Sequence, residues 1–307
     1  MLVRPLKDTE EDAEAVRVLA ETSFAGGPAA GAVPAEPGTA AQGGGALPAM
    51  PPPGAGNPAR SRERVRHLVR TDPRGSWLAA DAAGRPVGAA QSLVREGTWG
   101  LALLAVLPEA QGKGVGKALL ERTLEYGRAC LRGLICCPGD PVAARVYRRA
   151  GFELHPAMRL EGTVDPAPAA GPDGPVVPGS GTHRDLMDSV DRRLRGGAHG
   201  PDHEFLLRHC RLFVADDLAG SGYCYLREQG RVELLAATSR RLAARLLSAA
   251  LLSLPEDVPA TVPYVTAEQQ WAVDVGLAAG LRPGNAGYVC LRGMRAPSPY
   301  IPSGGFL

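Results

Sequence analysis

The stretch that most constrains this chain is residues 101–120, LALLAVLPEAQGKGVGKALL. An apolar run over 101–107 stops at Pro108, and a short polar turn follows. Gly112, Gly114 and Gly116 then alternate with Lys113 and Val115, and Lys117 opens a segment with helical periodicity through Leu119 and Leu124. That order is strand, glycine-rich turn, helix N-terminus. Glycine lets the backbone turn sharply and leaves its N–H groups unobstructed by a Cβ. The first N–H groups of a helix lack intrahelical partners and carry positive partial charge, so such a turn is a seat for phosphate. Strict alternation over 98–106 sets Trp99, Leu101, Leu103 and Ala105 on one face and Gly100, Ala102, Leu104 and Val106 on the other. Both faces are apolar, which predicts a strand covered on both sides.

Three phosphate-binding loops compete for the turn. A nucleotide-triphosphate loop needs Ser or Thr after Gly-Lys, but Ala118 follows Lys117. A dinucleotide loop would need glycine at position 117. The third pattern, Gln/Arg-x-x-Gly-x-Gly/Ala, is met by Gln111, Gly114 and Gly116, and it resembles the pyrophosphate loop of the GNAT acyltransferase superfamily. Residues 133–137 read as a strand, and 140–150 as a helix ending in Gly151-Phe152. That ending is similar to a second GNAT signature, with Ala144 and Tyr147 in register and Pro141 where the family usually has asparagine. The opening segment VRPLKDTEEDAEAVRVLAETSF also resembles the family's first strand and helix.

The resemblance implies a mixed α/β (α+β) fold, mostly antiparallel and flanked by helices, with acetyl-CoA as cofactor. It implies that Gln111, Gly112, Lys113, Gly114, Val115, Gly116 and Lys117 hold the pyrophosphate. Leu104, Ala105 and Val106 would meet the pantetheine arm and thioester, beside Ala144. Tyr147 matches the family's general acid. The family often keeps a basic carboxylate on the central strand, yet 98–106 contains none. Glu96 is the substitute we place in that role, with Asp140 and His155 as further options.

Length favours two domains. The first, 1–163, carries the coenzyme loop and a Gly/Ala/Pro-rich stretch over 26–59 expected to be a flexible loop. Residues 61–70 predict a basic helix with Val65, Leu68 and Val69 inward and its arginines solvated. A Pro/Gly-rich linker spans 164–181. Beyond it, 182–307 echoes the first half, with Ala279-Gly280-Leu281 answering Ala150-Gly151-Phe152. Here Ala237-Thr238-Ser239-Arg240-Arg241 stands where the glycine turn should be, so coenzyme binding is not expected. The whole resembles the tandem GNAT proteins of actinobacteria, with a degenerate second half and a tail, 299–307, apolar enough to dock.

A net charge of +2 argues against nucleic acid as partner. No run of 18 apolar residues suggests a membrane span, and the acidic early sequence is unlike a signal peptide, so we expect a cytoplasmic protein, monomer or homodimer. Six cysteines occur without zinc spacing, and no metal is expected. For the acceptor, Asp191, Arg195, His199 and Asp202 cluster at a helix end, and with Glu268 and Trp271 they could line a pocket for a small-molecule amine. The resulting expectation is an acyl-CoA-dependent N-acyltransferase attacking the thioester directly. Two alternatives stay open: a donor carried on a carrier protein in secondary metabolism, and a non-catalytic coenzyme A-binding module.

Overall fold

The computed structural model describes residues 1–25, 56–167 and 171–307. Most of the expected loop over 26–59 lies outside the described residues, and Pro58 and Ala59 begin a helix. The first half runs β1 (Leu2–Pro5), α1 (Glu10–Ala25), α2 (Pro58–Thr71), β2 (Ser76–Ala80), β3 (Pro86–Arg95), β4 (Thr98–Val106), α3 (Val115–Tyr126), β5 (Arg132–Cys137), α4 (Pro141–Arg149) and β6 (Glu153–Gly162). The second runs β7 (Val177–Pro178), α5 (Arg184–Arg195), α6 (Asp202–His209), β8 (Arg211–Asp217), β9 (Gly220–Leu226), β10 (Val232–Ala237), α7 (Arg240–Leu252), β11 (Ala260–Thr266), α8 (Gln270–Ala278), β12 (Arg282–Arg292) and β13 (Tyr300–Ile301). The fold is mixed α/β and mostly antiparallel. No helix among the described residues is long and apolar enough to cross a membrane.

The halves exchange their closing strands. One sheet has the order β1-β2-β3-β4-β5-β12-β6-β11, so β12 of the second half lies between β5 and β6 of the first. In return β6 pairs with β11, and β6 and β12 pair with each other, Arg282 opposite Glu161 at one end and Leu291 opposite Glu153 at the other. Where β12 passes the end of β5, Gly287 has φ +95°, and a Cβ there would sit 2.3 Å from the Cys137 carbonyl oxygen. Only glycine fits that crossing. A second sheet, β13-β10-β9-β8-β7, belongs to the second half. An isolated parallel bridge, Arg231 to Thr261, links it to β11.

Three local expectations change. Simple alternation along β4 fails at Ala102, because Gln91 faces Leu103 while Ser92 faces Leu101, leaving Ala102 as the extra residue of a bulge. Leu103 and Ala105 therefore pack under α1 and α2, opposite to the face that carries Trp99 and Leu101. The arginines of α2 are not all solvated, since Arg60 and Arg64 are buried against the second half. Part of the expected linker is structured, since Val177–Pro178 pairs with Val214 and Phe213 on β8. The final residues are buried, and Tyr300–Ile301 lies beside Ala236 and Leu235 of β10.

Candidate active site

The bulge at Ala102 shapes the site. β4 runs parallel to β5, and their ladder ends at Leu101 opposite Ile135. Beyond that pair the two strands part, and the β4 peptide groups from Ala102 to Val106 have no strand on that side among the described residues. A cleft opens there. Leu101, Ala102, Leu103 and Leu104 form one wall, Ile135 to Pro138 the other, and Ala143 and Tyr147 of α4 close it. Phe24 of α1 and Tyr264 of β11 complete the lining.

Tyr264 comes from the second half and carries no sequence signature. It has φ +53°, rare for a residue with a side chain, and it sits where the pairing of β11 with β6 slips between Val262 and Val265. Pro263 beside it was the one hint, because proline inside a strand is confined to edges and bulges.

At the far end of β4, Gln111 turns back and donates its side-chain amide to the Val106 carbonyl oxygen, 3.1 Å. Gly112 and Gly114 have φ of +72° and +81°, and a Cβ at either would meet no neighbour within 4 Å. Gly114 is the N-cap of α3, and no side chain among the described residues caps that helix. The first-turn N–H groups of α3 therefore have no acceptor among the described residues, and exposed Lys113 and Lys117 stand beside them. Val115 is anchored in the core and Gly116 is half-buried. The equivalent helix of the second half differs in the decisive feature: Ser239 caps α7, its hydroxyl accepting from the Leu242 N–H. That helix end satisfies itself.

Tyr147 is buried, and its hydroxyl has no hydrogen-bond partner among the described residues. Burial, with the thiols of Cys137 and Cys290 next to it, pushes its pKa well above the ordinary tyrosine value. The phenol is therefore fully protonated at neutral pH, as a proton donor must be. Ala144 is half-buried on the same helix, while its neighbour Ala143 lines the cleft. Asp140 also lines the cleft, with one carboxylate oxygen accepting from the Val142 N–H at 2.8 Å to cap α4.

Glu96 is not brought to the cleft. It occupies the β3–β4 turn with φ +45°, at the start of β4, whereas the glycine turn follows the strand's end. Its carboxylate pairs with Arg192 at 2.7 Å and accepts from the Ala198 N–H, and the Arg192 guanidinium holds it below the usual carboxylate range. Glu96 ties the halves together, and its place as base is withdrawn. Glu96→Gln should leave turnover within about 2-fold and cost about 0.5 kcal/mol in urea unfolding, the worth of one exposed ion pair.

The polar residues of α5 and α6 separate into two buried networks. In the first, the Asp191 carboxylate accepts from His199 Nδ1 at 2.7 Å and from the Tyr223 hydroxyl, with His203 Nε2 at 3.2 Å. Burial holds His199 below the ordinary histidine value, and its other ring nitrogen, Nε2, lies against the Leu307 carbonyl oxygen and the Tyr300 hydroxyl. Arg195 is buried close by, its guanidinium nitrogens without hydrogen-bond partners among the described residues. In the second, Asp202 joins His67 Nε2 at 2.9 Å and Arg95 Nε at 2.7 Å, and Arg95 continues to Asp72 at 2.8 Å. Neither network opens on the cleft. Asp191, His199 and Asp202 fix α5 and α6 against the first half and the tail, and Arg195 is enclosed beside them, so these four are corrected from a pocket lining to buried residues of a joint between halves. Trp271 is likewise internal, its indole donating to Gln269 Oε1. Glu268 is half-exposed, bonded to the Thr266 hydroxyl and 3.8 Å from His155 Nδ1.

A divergent parallel strand pair, a glycine turn feeding an uncapped helix and a protonated tyrosine on the next helix are thus all present in the first half, as the GNAT resemblance leads one to expect. Comparison with known proteins points the same way for the fold. Residues 47–152 match the family described as the acetyltransferase (GNAT) family. A Pyrococcus horikoshii structure described as an acetyltransferase superposes with TM-score 0.73 at 15% identity, covering 99% of this chain and 95% of that one. A tandem GNAT protein from the clavulanic acid biosynthesis pathway gives TM-score 0.56 at 15% identity, covering 96% and 99%. A GCN5-related N-acetyltransferase from Sphaerobacter thermophilus gives 0.55 at 14%, covering 96% of each chain. No curated protein matches. Residues 47–152 thus carry the acetyltransferase (GNAT) family pattern, and the chain as a whole has the fold of a tandem GNAT structure.

Proposed function

We propose that the protein is an N-acyltransferase that takes an acyl group, most simply acetyl, from coenzyme A and passes it to a primary amine of a small molecule. The observation that carries this is the opening of β4 away from β5 directly before the uncapped glycine turn. Peptide N–H groups freed at Leu104–Val106 suit the pantetheine amides and the oxygen of the thioester, and an oxyanion forming there would be stabilised by donors already in place. The amides from Gly112 to Lys117 suit the diphosphate, with Lys113 and Lys117 adding charge.

The amine nitrogen attacks the thioester carbonyl carbon, the N–C bond forms, and the C–S bond breaks. Tyr147 gives its proton to the departing thiolate. The amine sheds its own proton through water, with Asp140 the carboxylate at the cleft. The second half contributes Tyr264 to the wall and no donor site of its own.

The test is calorimetric titration with coenzyme A, followed by thiol release from acetyl-coenzyme A across a panel of small amines. One binding site and thiol release that depends on an amine support the reading. Two equal sites, or release indifferent to every amine, would overturn it.

A further inference from the structure

A second group of charges lies between the halves, and it is out of balance. Arg60 and Arg64 are one turn apart on α2, and both are buried. Arg227 ends the β9–β10 turn on one side, and Arg231 and Glu233 stand on the other. Glu233 Oε2 is the shared partner: Arg60 Nη2 lies 3.8 Å away, Arg231 Nε 4.0 Å, and Arg227 Nη2 in direct contact. The other oxygen, Oε1, accepts from the Ser303 hydroxyl at 2.9 Å. Arg64 has no carboxylate partner among the described residues. Four guanidinium groups thus face one carboxylate.

The hydrogen bonds are as incomplete as the charge. Arg60 Nε, Arg64 Nε and Nη1, and Arg227 Nε are all buried without an acceptor among the described residues. A buried guanidinium with open N–H groups is strongly unfavourable unless an acceptor completes it. Burial, with the neighbouring Arg60 guanidinium, draws the Arg64 pKa down to about 10. Guanidinium groups arrayed in this way match the oxygens of a carboxylate or phosphate, which accept paired N–H donors.

The cluster also adjoins the cleft. Arg231 forms the β-bridge to Thr261 at the start of β11, and the same strand delivers Tyr264 to the cleft wall three residues later. Arg231 is close enough to the cleft residues Cys136 and Tyr264 to act on both electrostatically.

We propose that Arg60, Arg64, Arg227 and Arg231, set around Glu233, receive an anionic group of the acceptor, so that the amine substrate also carries a carboxylate or a phosphate. This rests on the acyltransferase reading and names the substrate class for it. The second half then supplies acceptor recognition, and the strand exchange holds that recognition rigidly beside the thioester.

The experiment uses matched acceptors with acetyl-coenzyme A: an amino acid against its carboxamide, and an aminoalkyl phosphate against the corresponding amino alcohol. The acid-bearing member of one pair should show kcat/KM about 100-fold higher, the scale of a charged hydrogen-bonded contact. Arg64→Met should erase that preference, bringing the two members of the pair to the same kcat/KM. Thermal unfolding supplies a readout independent of turnover. The acid-bearing compound should raise the wild-type midpoint, inorganic phosphate should raise it less, and Arg64→Met should respond to neither. A thermal response without turnover would keep the anion site and sink the acyltransferase reading. Turnover with equal kcat/KM for both members of each pair would do the reverse. A stronger response to inorganic phosphate than to any amine would overturn the acceptor assignment in favour of a free anion.

Discussion

Gly114→Val is expected to weaken coenzyme A binding by about 100-fold, roughly 2.7 kcal/mol. Two effects add. Gly114 holds φ +81°, a region that costs a β-branched residue about 1–3 kcal/mol, so the turn would relax and re-aim the first N–H groups of α3. The new side chain would also stand in the open space where a diphosphate approaches, since nothing of the protein lies within 4 Å of that Cβ. Gly84→Val is the control. Gly84 has the same φ, +81°, and the same empty surroundings, but it lies in the β2–β3 turn. Both variants should lose similar stability in urea, and only Gly114→Val should lose heat in a coenzyme titration. Equal affinity in the two variants would remove the diphosphate from this turn.

The parts of this site that were legible in the sequence are the local ones. A glycine turn, the apolar strand before it and the helix ending in Gly151-Phe152 declare themselves within about twenty residues, because backbone conformation and helix capping are short-range demands. What escaped depends on partners far along the chain. The bulge at Ala102 appears only when β3 is laid beside β4. β12, with proline and two glycines, reads weakly as a strand, because its pairing comes from β5 and β6 more than a hundred residues earlier. Arg60 and Arg64 carry the composition of a solvated helix face, and only the docking of the second half buries them. Asp191, His199 and Asp202 gave the opposite error. A dense polar run looks like a site, yet each of these residues finds its partners inside a joint. On the proposed reading, the donor side was open to sequence reasoning because its turn is local, and the acceptor side was not, because its residues come from both halves.

The largest effect on chemistry is expected from Tyr147→Phe, a fall in kcat of about 100- to 1,000-fold, the usual worth of a placed proton donor. The variant is unusually clean. The hydroxyl has no hydrogen-bond partner among the described residues, so its removal should shift stability by less than about 0.5 kcal/mol. The ring remains to pack against Leu120, Ile135 and Cys290, and coenzyme affinity should hold. The pH profile separates an acid from a packing residue. Burial raises the tyrosine pKa, and an acid is active below its pKa. Wild-type kcat should therefore not decline up to about pH 10, where an unperturbed phenol would already be half ionised. In Tyr147→Phe the thiolate must leave without a proton, which an acyl thioester with a more acidic thiol does easily. Such a thioester should recover most of the lost rate in the variant and gain little in the wild type. If the variant turns over acetyl-coenzyme A at the wild-type rate, or both thioesters suffer equally, Tyr147 serves packing and the proton comes from elsewhere.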